Sequence, residues 1–209
     1  MAGSMKKADL IHDLGLMLGE AKNRFEDSLD RELQLHLEVA AFDFARYRPR
    51  TKVGSISLVS GQNQYTAPSD YMRYKMTIWG MNERRDRRQW ESNWPGRLPV
   101  VTTLDTDAGL GLYLDPAPIA AQLADFGSDF KFYYYAAHVI DDDATKTTIK
   151  LHDRSLFLIR ALSASLTNLA NCGVMRPVSL GDGAGSLPKN GTPAALADAA
   201  YKLFERMAS

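Results

Sequence analysis

Apolar residues set at helical spacing open the chain and then give way abruptly to strict alternation. Leu10, Ile11, Leu14, Met17 and Leu18 predict a first helix from about Lys6 to about Gly19. Leu29, Leu33, Leu37, Ala40, Ala41 and Phe44 predict a second, from about Ser28 with Asp27 as its N-cap to Tyr47. Arg48-Pro49 ends it, because proline lacks an amide donor and pushes its predecessor out of the α region. The two helices are expected to pack antiparallel and to need a third to cover their apolar stripes.

Strand patterns follow at once. Polar and apolar residues alternate in Ser55-Ile56-Ser57-Leu58, Ser60-Gly61-Gln62-Asn63 supplies a turn, and Gln64 to Pro68 returns, which reads as a hairpin. Met72, Tyr74, Met76 and Ile78 alternate with Arg73, Lys75 and Thr77, as in a strand with one wet face. Strands resume near Val100 and at Leu110 to Leu114, where Asp115-Pro116-Ala117-Pro118 stops the pairing. The stretch Phe130 to Tyr135 is aromatic on both faces and is expected at a sheet centre; Thr147 to Lys150 is expected to add a short strand. Leu156, Ile159, Leu162, Leu166, Leu169 and Ala170 then predict a third helix from an Asp153 N-cap to near Gly173. Thr192-Pro193 starts a last helix with Leu196, Ala200, Leu203, Phe204 and Met207 on one face.

Between those two helices, residues 176–191 hold Gly181, Gly183, Gly185, Pro188 and Gly191 but only Val178, Leu180 and Leu187 as strongly apolar groups. Fixing that backbone costs roughly 16 to 30 kcal/mol, while three buried aliphatics return at most about 9 kcal/mol. The segment is therefore expected to be mobile or ordered by a partner. The fold class expected is α+β: a small α-helical bundle of N-terminal and C-terminal helices carrying an inserted antiparallel β region. Residues 1–4 read as a cloning remnant, 5–175 as one domain (helices 5–48 and 153–172, β region 53–150), and 176–209 as a flexible Gly-rich segment with a short helix.

The arrangement of Ala40 to Arg46 running into Arg48-Pro49-Arg50-Thr51, then Gly61-Gln62-Asn63-Gln64-Tyr65-Thr66-Ala67-Pro68-Ser69-Asp70, resembles tailed-phage head-to-tail adaptor proteins, also called connector or head-completion proteins. Leu112-Tyr113-Leu114-Asp115-Pro116-Ala117-Pro118, the aromatic strand and His138 look like the later part of the same pattern. The resemblance covers most of the chain between Leu29 and His138. It implies a non-enzymatic structural protein of the virion neck, made in the host cytoplasm. Such a subunit forms a homo-oligomeric, typically dodecameric ring that joins the portal protein to tail or tail-terminator proteins, with DNA passing through an axial channel without tight binding. Another tail or baseplate component is the nearest alternative. The arginine and tryptophan segment after Trp79 and the Gly-rich segment fall outside the resemblance.

Composition bounds these readings. Hydrophobic residues are 45% and charged residues 24% of 209, ordinary for a folded globular chain. Lys plus Arg equal Asp plus Glu at 25 each, so no global field draws in nucleic acid or an anionic membrane. No stretch approaches the ~18 apolar residues of a membrane span. Cys172 is the single cysteine, which excludes an internal disulfide and fits a reducing compartment of synthesis; near a helix end it reads as a buried structural thiol.

Candidate chemistry is sparse. His12, His36, His138 and His152 stand in separate predicted elements without ligand spacing, and Asp141-Asp142-Asp143 lacks the glycine and terminal glutamate of a calcium loop. The glycines 181, 183 and 185 lack the Lys-Ser/Thr of a phosphate loop. No catalytic residue, metal site or cofactor is expected. Arg84, Arg85, Arg87, Arg88, Trp90, Trp94 and Arg97 form the one recognition candidate, since arginine forks and tryptophan faces suit protein hot spots and phosphates alike. A solvated loop with internal ion pairs, a subunit or portal contact, and a nucleic-acid-binding module are the three readings of it. Leu203 and Phe204 are added as candidate contacts of the last helix.

Overall fold

In the computed structural model, residues 4–25, 29–85, 87–92, 94–107, 109–173, 176–187 and 190–208 are described. Asp27, the expected N-cap, and most of the expected cloning remnant lie outside them, as does the side chain of Arg84. In chain order the elements are α1 (Lys7–Leu18), α2 (Leu29–Tyr47), β1 (Arg50–Ser57), β2 (Gln64–Thr66), β3 (Tyr71–Thr77), α3 (Met81–Arg85), β4 (Val100–Thr106), β5 (Gly109–Asp115), α4 (Ala120–Phe126), β6 (Asp129–Ala136), α5 (Arg154–Asn171), β7 (Val178–Ser179), β8 (Asn190–Gly191) and α6 (Pro193–Ala208). The fold is α+β, and the chain divides into two compact units: Met1–Pro49 with His138–Ser209, and Arg50–Ala137.

The helical unit is organised around α5. Its buried residues run almost all round the helix, and it contacts α1, α2 and α6. Two of the buried residues are serines, which allow close helix approach and cost little because their hydroxyls are satisfied: Ser163 Oγ donates to the Ala197 carbonyl at 3.0 Å and Ser165 Oγ to Ala161 at 3.1 Å. Phe44 of α2 packs edge-on to Phe157 of α5 and tilted against Phe204 of α6, closing the core. At the bundle's edge the Arg160 guanidinium pairs with the Asp43 carboxylate, and Asp153 pairs with Arg48. Asp153 does stand ahead of α5, but its side chain makes that ion pair instead of capping the helix.

His36 of α2 is the one imidazole held inside. With the Ser165 hydroxyl committed to Ala161, His36 Nδ1–H donates to Ser165 Oγ at 3.0 Å. Burial pushes its pKa below the ordinary histidine value, against the opposing pull of Glu32. The unfolded chain therefore binds that proton first: the stability contribution is complete above about pH 6.5 and declines as pH falls below it. Thermal melts are expected to show stability falling between pH 7.5 and pH 5.5, with a shallower fall in His36→Gln. Equal slopes in the two proteins would disprove the assignment.

The β unit holds two three-stranded antiparallel sheets, ordered β1-β6-β3 and β2-β5-β4. The aromatic strand β6 is central, as its pattern predicts, with Phe130, Phe132, Tyr134 and Ala136 buried and Tyr133 and Tyr135 half-buried on the other face. The expected β1–β2 hairpin is not formed. β1 pairs along its length with β6, whereas β2 joins β5 in the other sheet. The connection is held by its own atoms: Tyr65 OH accepts from Val59 N–H at 3.0 Å and lies 3.2 Å from the Gln62 carbonyl, and Gly61 N–H donates to Pro118.

β3 departs from the expected alternation. Register shifts between Tyr71 and Arg73 and between Tyr74 and Met76 put Tyr71, Tyr74 and Thr77 opposite Ala136, Tyr134 and Phe132, and leave Met76 and Ile78 exposed. Thr147 to Lys150 forms no strand. The two threonines instead brace the preceding loop, Thr148 Oγ1 accepting from Val139 N–H at 2.9 Å and Thr147 Oγ1 from Asp141 N–H at 3.1 Å.

The described part of the Gly-rich segment makes contacts within its own unit. It lies against the helical unit, with Val178, Ala184 and Leu187 in that core and β7 paired to β8. Gly181 N–H donates to the Met17 carbonyl at 2.9 Å, and a Cβ on Gly181 would stand 1.9 Å from the Leu16 oxygen. That contact closes only with glycine, and it recovers backbone hydrogen bonding absent from a count of apolar side chains.

Candidate functional site

The arginine and tryptophan segment is built on the end of β3. Thr77 Oγ1 donates to the Lys131 carbonyl at 2.6 Å and accepts from Trp79 N–H at 3.1 Å, turning the chain inward. Trp79 is buried, edge-on to Phe126 at 5.2 Å, with its Nε1–H donating to the Gly127 carbonyl at 3.0 Å. Gly80 follows at φ +67, its Cα facing the Phe126 ring so closely that a Cβ would stand 2.8 Å from it. α3 then carries Arg85 on the surface.

Beyond α3 the described residues of the loop are linked by short-range bonds. Glu91 Oε2 accepts from Arg88 N–H at 3.1 Å, and the Trp94 N–H donates to the Glu91 carbonyl at 3.0 Å. Its return leg is pinned from α4. Gln122 is 2% exposed, and its Nε2 donates to the carbonyls of Pro95 at 2.9 Å and Arg97 at 3.0 Å while its Oε1 accepts from Ile119 N–H at 3.1 Å. A buried amide with three partners is a rigid clamp. Nothing in the hydrophobic pattern marks Gln122; its only sequence signal is its place three residues into a helix that follows Asp115-Pro116-Ala117-Pro118.

The predicted site residues separate into distinct environments. Arg87 Nη1 bonds Asp125 Oδ2 at 2.6 Å and is mostly covered, which makes it a brace between the loop and α4. Arg88 lies with its guanidinium 5.5 Å from the centre of the Trp90 ring, and Trp90 is 79% exposed. Arg85 and Arg97 are exposed, and Trp94 is half-buried. Leu203 is half-buried against the helical core. Phe204 is fully buried, packed on Phe44, Tyr47 and Tyr201 of its own unit, which removes it from the contact set. Cys172 also departs from expectation: it is exposed, past Leu169, the last buried residue of α5.

The helical unit has a groove of about 900 Å³ lined by α2, α5 and α6. Its charged groups are already engaged: Arg160 with Asp43, Asp198 with Lys202 at 2.7 Å, and Glu32 with the Asn168 amide at 2.9 Å. Among the described residues no group of three or more His, Cys, Asp or Glu is placed to hold a metal ion, and no helix is long and apolar enough to cross a membrane. The prominent feature for recognition is an exposed tryptophan and cation held on a clamped loop, the side-chain types that dominate protein–protein hot spots.

No curated protein matches this chain. A family model described as SU10 adaptor protein matches residues 5–206, and so takes in the helices, both sheets, the clamped loop and the Gly-rich segment. The chain therefore belongs to the SU10 adaptor protein family, a family of phage head-to-tail adaptors.

Proposed function

We propose that this adaptor forms an oligomeric ring in the virion neck that joins the portal to the tail and surrounds the path of the DNA. Membership of the family supports the role, and the exposed Trp90 with Arg88, on a loop clamped by Gln122, is the observation that supports a docking surface. A preordered loop loses little conformational freedom on binding, so more of its contact energy appears as affinity. Arg85, Arg88, Trp90 and Arg97 are the subunit or portal contacts on this reading. Arg87 serves them by holding the loop to Asp125.

Truncating the exposed pair tests the proposal. Trp90→Ala with Arg88→Ala is expected to leave the thermal melt of the free chain within about 1 °C, because neither side chain is buried. Assembly should weaken by roughly 30-fold or more, the equivalent of a hot-spot loss of about 2 kcal/mol. Mass measurement of the purified chain with and without its portal reads the effect. Unchanged ring formation and portal binding would reduce the loop to solvated surface.

A further inference from the structure

One charged surface lies apart from the loop, on the open face of the β1-β6-β3 sheet. The register places Thr51, Val53 and Ser55 of β1 opposite Tyr135, Tyr133 and Lys131 of β6, with Arg73 and Met76 of β3 on the far side of Tyr135 and Tyr133. Arg73 and Lys75 both lie over the Tyr135 ring, their charged ends 5.0 and 5.2 Å from its centre, and Lys75 Nζ reaches on to Thr51 Oγ1 at 3.3 Å.

What distinguishes these two cations is how they are held. Arg87, Arg160 and Lys52 are each oriented by a carboxylate, which neutralises them. Arg73 and Lys75 are oriented by an aromatic face, and among the described residues no carboxylate pairs with either. A ring quadrupole fixes a cation in place without cancelling its charge. Lys131 adds a third positive group, paired only loosely with Asp129 at 3.4 Å where both are more than half exposed. In a chain of zero net charge Arg73 and Lys75 are a local pair of cations without a carboxylate partner among the described residues, beside the half-buried Tyr133 and Tyr135 rings, while Asp129, bonded also to Ser55, partly offsets Lys131.

We infer that this sheet face is a weak, sequence-independent contact surface for the phosphate backbone of duplex DNA, with Arg73 and Lys75 as its principal groups and Lys131 as a lesser one. Two or three phosphate contacts give readily reversible binding, released by moderate salt. Cations carried on a sheet surface meet phosphates rather than base edges, so the face touches backbone and reads no bases. The inference goes beyond the ring proposal and does not depend on it, since the contact belongs to a single chain.

Fluorescence anisotropy of a labelled duplex of random sequence, titrated with the full-length protein from low to physiological salt, tests it. Log affinity should fall against log salt with a slope of about −2 to −3, following roughly −0.9 per phosphate. Arg73→Gln with Lys75→Gln should weaken low-salt binding on the order of tenfold and flatten the slope toward about −1, with the melting curve and mass of the protein unchanged. Arg85→Gln with Arg88→Gln, on the tryptophan loop, should bind as the unaltered protein does. No binding at low salt, or equal binding by the Arg73 and Lys75 variant, would overturn the assignment. So would loss of binding in the loop variant alone, or a sheet-face variant that keeps its DNA affinity and loses self-assembly. Assembly is read separately by mass, so failure of the ring proposal is distinguished from failure of this one.

Discussion

Phe204→Ala is expected to destabilise the helical unit by about 3 to 5 kcal/mol, the cost of emptying a fully packed aromatic site. The ring meets Tyr47 at 5.1 Å edge-on, Phe44 at 6.3 Å and Tyr201 at 6.3 Å, so its removal leaves a cavity bounded by three aromatic neighbours that cannot all collapse inward. For a chain of this size the melt should fall by on the order of 10 °C. Leu203→Ala, one position along and half-buried, should cost about 1 kcal/mol, in line with the smaller area it hides. If Phe204 were a contact residue the order would reverse: the free chain would melt normally and only its assembly would suffer. Calorimetry of the two variants without any partner decides between them.

The second large effect is expected at Gly181. Its Cα approaches the end of α1 so closely that Gly181→Ala would bring a methyl group to 1.9 Å from the Leu16 oxygen and 3.3 Å from the Gly19 Cα. Both neighbours are backbone atoms and cannot rotate aside. Gly19 faces the same contact from the other side, at φ +55 and with its own Cβ direction 2.7 Å from Gly181 N, so neither glycine tolerates a side chain. The segment should lift away, break the hydrogen bond from Gly181 N–H to Met17, and expose Val178 and Leu187. Losing those two burials costs on the order of 3 to 6 kcal/mol. Limited proteolysis gives the direct readout: residues 176–187 should resist cleavage in the unaltered chain and be cut early in Gly181→Ala. Early cutting in both proteins would show the packed segment to be open in solution.

These two residues also show what the pattern of the chain carries and what it does not. Period and punctuation located the helices: the apolar stripe of α2, the stop at Arg48-Pro49 and the start at Pro193 appear where the spacing puts them. The same pattern does not separate a stripe that faces the chain's own core from one that faces another subunit, so Phe204 on that stripe reads equally as core or as contact. Alternation in β1 and β2 fixes which face of each strand is wet but not which strand lies alongside, so the neighbours β6 and β5 were not legible and a local hairpin was the default. In β3, two bulges changed the phase of the alternation. The glycine contact at Gly181 carries no hydrophobic signature at all. Of the candidate site, the exposed Trp90 and Arg88 can be read from residue type, whereas Gln122, which bonds the loop's return leg at Pro95 and Arg97, reads as one polar residue of a short helix.

The two ends of the β unit meet on a single rung. Arg50 stands opposite Ala136 in the β1–β6 ladder, and one step outside it the Arg48 carbonyl lies 2.9 Å from His138 Nε2. Everything between leaves and re-enters the polypeptide at one doorway, so insertions, deletions or wholesale exchange within residues 50–137 need not move the helix ends that flank it.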